Sequence, residues 1–213
     1  MPDAIRDAKR KLPAERHGEL LAKAVDIAHA EGLSAVTLRR VASDMGVTAG
    51  LVSHYFSAAE QLIAAAFRSA AQADLDSARS RIAAADGAAD MMTALIDYVL
   101  ADDGDEGSAL WLETWTLSRR NAVLADAADD LTGQWQDTIA EIVALGERTG
   151  EFTVSDVDAA ARRLLTLIDG LGSQKVVRSV PAADAQHIAR AYVASELVAQ
   201  REETPEIETK SRA

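Results

Sequence analysis

Apolar residues recur three and four positions apart along nearly the whole chain, and no stretch sustains the every-second-residue alternation of a half-buried strand. The pattern predicts an all-α protein of about nine helices. The first starts at Pro13, tolerated in an opening turn, and carries Leu20, Leu21, Ala24, Val25, Ile27 and Ala28 to a stop at Gly32. Thr37 is placed to cap a short second helix whose buried side is Leu38, Val41, Ala42 and Met45, with Gly46 as a left-handed terminator. Thr48 caps a third that reaches Tyr55. A long helix follows from Ala58 towards Gly87, then helices near 88–101, 107–119, 121–147, 156–178 and 184–200. Gly and charge interrupt the period at 102–107 and 148–152, and Pro181 parts the last two helices.

One helix followed by two short ones across a Gly-containing turn is a helix-turn-helix pattern, whose second short helix enters the DNA major groove. The third helix is unusual for its composition, Gly-Val-Thr-Ala-Gly-Leu-Val-Ser-His-Tyr-Phe over residues 46–56. Glycine inside a helix costs about 1 kcal/mol relative to alanine. At Gly50 the missing side chain lets backbone approach a phosphate or base edge, while Thr48, Ser53, His54 and Tyr55 offer hydroxyl and imidazole groups. Spacing alone leaves a second reading open, in which Gly50 marks a tight crossing of the second and third helices.

Net charge is -12, which argues against a polyanion as partner until its distribution is considered. Residues 1–60 carry eight Lys or Arg and eight Asp or Glu, so the whole excess of acid lies beyond them. A neutral head and an acidic body suppress non-specific DNA association and leave specificity to the head. The chain has no cysteine, which closes thiol chemistry and disulfides and fits a reducing compartment. It has no apolar run long enough to span a bilayer and no secretory signal at its start, which points to the cytoplasm and to no membrane partner.

Residues 13–67 closely resemble the DNA-binding domain of the tetracycline-repressor (TetR) family of bacterial regulators. The likeness is carried by Glu-Gly-Leu-Ser-Ala-Val-Thr-Leu (31–38), Ala-Ser-Asp-Met-Gly-Val-Thr (42–48) and His-Tyr-Phe-Ser-Ala-Ala-Glu-Gln-Leu (54–62). Ala-Gly-Leu-Val-Ser-His-Tyr-Phe (49–56) is most similar to the subgroup containing the choline-responsive repressor of glycine betaine synthesis. The resemblance implies a homodimer that binds a palindromic double-stranded operator, mostly as a repressor, until a small-molecule effector binds the C-terminal domain. It places DNA contacts on Thr37 and on Thr48, Ala49, Gly50, Ser53, His54 and Tyr55, with Phe56 as packing. Family members commonly carry a Lys where this chain has Ala59, so a phosphate contact is missing. Arg39 and Arg40, with Arg10, Lys11 and Arg16 of the N-terminal arm, are candidates to replace it; the alternative for the arm is a solvated tail.

Three regions follow from this reading: residues 1–57 as DNA-binding domain with an arm at 1–12, residues 58–201 as effector-binding and dimerisation domain, and a charged tail at 202–213 expected to be disordered. The last two helices offer Leu164, Leu165 and Ile168 on one and Ile188, Tyr192 and Ser195 on the other as a two-fold four-helix interface; the alternative is that these faces pack inside one protomer. Trp111 and Trp115 share a helical face, with Tyr98 before and Trp135 after them. Facing inward they form either plain core or a cage for a cation, helped by a carboxylate such as Asp169, Asp97 or Glu113, although Glu113 falls on the opposite side of its helix from the tryptophans. Leu-Ile-Asp-Gly-Leu-Gly-Ser-Gln (167–174) also resembles the subgroup, except that Gly172 stands where an aromatic commonly follows, which allows a larger or differently shaped ligand. Effector binding there is expected to shift the long fourth helix and change the spacing of the reading heads.

No enzyme signature competes. His17, His29, His54 and His187 have no metal-ligand spacing, and Gly170-Leu-Gly172 follows a helix rather than a strand, so neither a metal nor a nucleotide cofactor is expected. The remaining rival is an all-α protein-interaction module whose helix-turn-helix is architectural.

Overall fold

The computed structural model describes residues 12–101 and 105–197. Among them the order is α1 (Pro13–Glu31), a single 3-10 turn (Leu33–Ala35), α2 (Leu38–Asp44), α3 (Ala49–Tyr55), α4 (Ala59–Ile82), α5 (Ala88–Val99), α6 (Asp105–Ser118), α7 (Ala122–Thr149), α8 (Val157–Val176) and α9 (Ala182–Glu196). The arm bases Arg10 and Lys11 and the 202–213 tail lie outside the described residues.

The termini are built as the sequence leads one to expect. The Thr37 and Thr48 hydroxyl oxygens accept the backbone N–H of Arg40 at 3.0 Å and of Leu51 at 3.2 Å. Gly46 turns between α2 and α3 with φ of 64°. Asn121 caps α7 through Leu124 N–H, and Asp156 caps α8 through Ala159 N–H. At α5 the N-cap is Gly87, and the carboxylate of Glu151, from the connection after α7, takes the free N–H groups of Ala88 and Ala89 instead. The Glu151 carboxyl is held below the ordinary value by the Ala89 N–H first, then by the Thr149 hydroxyl and then by the Ala88 N–H.

Buried side chains form two clusters. One holds the three-helix head together, through Leu20, Ile27, Val41, Val52 and Phe56, and continues into the start of α4 and into α6 and α7 through Phe67, Leu110, Leu124 and Leu131. The other joins the far half of α4 with α5, α7, α8 and α9 around Leu75, Met92, Ile96, Ile139 and Phe152. Each fully buried Leu, Ile or Phe in them contributes about 1.5–3 kcal/mol by leaving water. Helix α4 spans both clusters, so a displacement of either end is felt by both. At the C-terminal end of α7 the helix passes hard against the Phe152 ring, and only a glycine, Gly146, fits there.

Helix α6 begins at Asp105, earlier than the expected 107, because a clasp holds its first turn: the Lys175 ammonium, 5% exposed, pairs with Asp105 at 3.0 Å and donates to the carbonyl of Ala101. Burying that ammonium is tolerable because both contacts are made together.

Candidate nucleic-acid interface and ligand cavity

Helix α3 anchors by Val52, which is fully buried, and by Phe56, on which His17 of α1 stacks at 4.8 Å. Its opposite face is bare. Ala49, Gly50, Ser53 and His54 are exposed, and Tyr55 is half-buried with its ring edge-on to His54 at 5.3 Å. A methyl group added at Gly50 would meet nothing nearer than the Thr48 hydroxyl at 3.9 Å. The tight-crossing reading therefore fails: the protein's own packing does not require a glycine at this position. Thr37, Arg39 and Thr48 are exposed beside the same face. Both threonine hydroxyls accept a backbone N–H and keep their own proton to donate, the arrangement a phosphate oxygen uses. Ser53 spends its proton on the carbonyl of Ala49 at 2.9 Å and is left as an acceptor.

The cationic side chains divide differently from the expectation. Arg40 is engaged within the head, bidentate to Glu31 at 2.6 and 2.8 Å and bonded to Asp44 at 3.0 Å. Arg16 is likewise paired with Glu19 at 3.0 Å. Arg39 is exposed and makes no ion pair among the described residues.

The body contains a cavity of about 530 Å³ between α4, α5, α6, α7 and α8. Tyr98, Trp111, Trp115, Trp135 and Asp169 all line it, so the five residues singled out from the sequence meet in one place. Trp111 is held edge-on against Phe67 at 5.0 Å and lies 6.0 Å from Trp115, which is 37% exposed at the rim. Trp135 is 6% exposed, and its indole Nε1 has no acceptor among the described residues. The Asp169 carboxylate has no hydrogen-bond or ionic partner among the described residues, and burial pushes it up to about 6.

Other lining groups were not legible in the sequence because long-range packing brings them in. Asp74 of α4 accepts from the Tyr98 hydroxyl at 2.5 Å; burial raises the carboxyl, while burial first and that bond second push the phenol up to about 12. Arg81, also on α4, lies over the Tyr98 ring at 4.8 Å. His29 and Glu106 meet at 3.2 Å at the edge, joining α1 to α6. Of the carboxylates considered beside Asp169, Asp97 lines the cavity but is paired with Arg190 of α9. Glu113 lies outside the cavity. It faces the head, accepting Ser34 N–H at 3.4 Å across Gly32, in line with its place opposite the tryptophans.

One expectation is corrected. Leu164, Leu165 and Ile168 are 0, 8 and 8% exposed and belong to the protomer's own core, Leu165 and Ile168 also lining the cavity. The outward positions of α8 and α9 include Thr166, Gly170, Gln174, Ile188 and Ser195 beside the charged Arg162, Arg163 and Arg190, with Val177 exposed just after α8 and Tyr192 half-buried and held by Arg163 at 3.2 Å. Gly172, in place of an aromatic, lines the cavity beside Ser108, whose hydroxyl would lie 2.8 Å from a Cβ at this position.

Two family profiles match the chain, the TetR family of bacterial regulatory proteins over residues 20–85 and the BetI-type transcriptional repressor C-terminal domain over residues 88–198. No curated protein matches it. Among solved structures, a transcriptional regulator from Saccharomonospora viridis in complex with choline superposes with a TM-score of 0.77 at 23% identity, over 88% of this chain and 100% of that one. The TetR-family regulators from Cytophaga hutchinsonii and Rhodococcus sp. give TM-scores of 0.76 and 0.71 at 17% and 23% identity, over 90% and 85% of this chain and 100% and 98% of theirs. Among the described residues no helix is long and apolar enough to cross a membrane. The chain belongs to the TetR family and is a transcriptional regulator with a BetI-type C-terminal domain.

Proposed function

We propose that this regulator is a repressor that holds a palindromic operator as a homodimer and leaves it when an organic cation enters the cavity. The observation that carries the reading is Asp169: a carboxylate with no partner, walled by Trp111, Trp115, Trp135 and Tyr98. An uncompensated buried charge is costly, and aromatic faces beside it favour a quaternary or protonated amine. The choline held by the Saccharomonospora viridis neighbour supports a cation of that kind. In the head, the bare backbone at Gly50 with the free hydroxyls of Thr37 and Thr48 supports groove contact, with Arg39, Ala49, Ser53, His54 and Tyr55 beside them.

Two recognition helices must meet half-sites about 34–36 Å apart, which requires a dimer. The exposed small and apolar residues among the outward positions of α8 and α9, with Ile188 42% exposed and Val177, just past α8, 64% exposed, support the pairing of those helices. Coupling runs through helices shared by cavity and head: α6 lines the cavity with Trp111 and Trp115 while its Glu113 holds the turn after α1. Such a regulator works on the chromosome, in the cytoplasm.

Protection mapping of the DNA upstream of its own gene, followed by titration of that site with and without choline, tests the reading. Choline is expected to weaken operator binding, and operator affinity is expected to fall with salt as phosphate contacts release counterions. Choline that binds calorimetrically yet leaves operator affinity unchanged refutes release; DNA binding with no salt dependence leaves the interaction-module reading standing.

A further inference from the structure

Most of the cavity's charged groups have a side-chain partner: Asp74 accepts from the neutral Tyr98 phenol, Asp97 pairs with Arg190 from outside the lining, and Glu106 meets His29. Two have none. One is the Asp169 carboxylate on α8; the other is the Arg81 guanidinium in the last turn of α4, which lies over the Tyr98 ring and has no carboxylate partner among the described residues. Beside them stands a third unmet group, the buried indole N–H of Trp135, a donor with no acceptor.

Resting on the reading that this cavity takes an organic cation, we propose that its ligand is a zwitterion, with an ammonium group at Asp169 and anionic oxygens received by Arg81 and the Trp135 N–H. A plain cation meets only Asp169 and leaves the Arg81 guanidinium and the Trp135 N–H without an anionic partner. A ligand with both signs neutralises each charge where it stands and gives the indole its acceptor. Size agrees: about 530 Å³ suits a molecule with two separated heads, whereas a small trimethylammonium alcohol leaves most of it unfilled. A guanidinium offers a fork of donors that fits a carboxylate or a phosphate equally, so two probes separate those sources.

Calorimetric titration of the full chain with choline, carnitine and phosphocholine, repeated on Arg81→Met, Arg81→Lys and Asp169→Asn, decides the matter. Wild type is expected to bind carnitine or phosphocholine about tenfold or more tighter than choline, the winner showing whether carboxylate or phosphate is recognised. Arg81→Met is expected to erase that advantage while choline binding holds or improves, and Arg81→Lys to restore part of it. Asp169→Asn is expected to weaken all three. Thermal melts confirm that each variant folds, and Arg81, exposed at a helix end, tolerates replacement. Choline binding that depends on Asp169 without any preference for a zwitterion overturns this inference and leaves the cation reading intact. An Arg81→Met that weakens choline and the zwitterions alike also overturns it. Failure of all three ligands to bind overturns both.

Discussion

Asp169→Asn should make the ligand-free protein more stable while abolishing its response to cations. Burial lifts the native Asp169 carboxyl from the ordinary 3.8 to about 6. Over that window the native chain binds more protons than the unfolded one, so stability is lost as pH rises from about 4 to about 6 and stays lost above it. A difference of about two units at about 1.4 kcal/mol each makes the full cost about 3 kcal/mol at pH 8. At pH 5 the native carboxyl is already protonated, and the cost is about half as large. Asparagine carries no charge but still buries an amide, so about 3 kcal/mol is the upper bound of the gain. The assay is urea unfolding of both proteins without ligand at pH 8 and pH 5. For a chain of this length the gain corresponds to a rise in Tm of roughly 6–12 °C at pH 8. A variant no more stable than wild type at pH 8, or a gap that stays constant between the two pH values, refutes the account of Asp169 as an uncompensated charge. By the same linkage, the affinity of wild type for choline should fall about tenfold between pH 7 and pH 5, because a cation requires the ionised form.

Gly50→Ala should leave stability unchanged or raise it by up to about 1 kcal/mol, since its methyl meets open space and alanine is the better helix former, yet weaken operator binding in a gel-shift titration. Gly146→Ala should destabilise by about 1–3 kcal/mol in denaturant melts, because its Cβ would lie under 3.0 Å from atoms of the buried Phe152 ring. Glu151→Gln should lower stability near neutral pH by weakening the cap on α5. Because the native Glu151 carboxyl is held below its ordinary value of 4.5, wild type loses this advantage as pH falls, so the two melting curves should converge in acid.

What the sequence could reveal depended on how local the physics is. Thr37, Gly46 and Thr48 act within a turn of their own position, and their roles were readable from residue type and spacing. The aromatic set converged as anticipated because an i, i+4 pair fixes one face and flanking helices add theirs. Leu164 and Ile168 misled for the reason amphipathic helices always can: an apolar stripe says that a face is covered without saying by what, and here α8's own neighbours cover it. The pairing of Arg40 was equally hidden, since nothing in its immediate sequence shows that Glu31, at the end of another helix, is within bidentate reach. Arg81 and Asp74 carry no local signal, because only the packing of α4 against α5 brings them to Tyr98.

The position of α6 explains why the cavity and the DNA-binding head need not be treated separately. Its Trp111 belongs to both buried clusters, packing on Phe67 of α4 while lining the cavity. Its Glu106 and Glu113 reach back to His29 and Ser34, at the end of α1 and in the turn after it. At its start the Lys175 clasp ties it to α8, the helix that carries Asp169. A ligand that draws Asp169 and the two tryptophans together therefore acts on a helix gripped at three places: by α8, by α4 and by the head. Close-packed interiors transmit such displacements instead of absorbing them. Because Glu113 is only half-buried and lies outside the cavity, Glu113→Ala, which removes the acceptor of Ser34 N–H, separates the two functions: ligand affinity should persist in calorimetry while the ligand's effect on operator binding shrinks. An unchanged ligand effect would mean that α4 alone carries the signal.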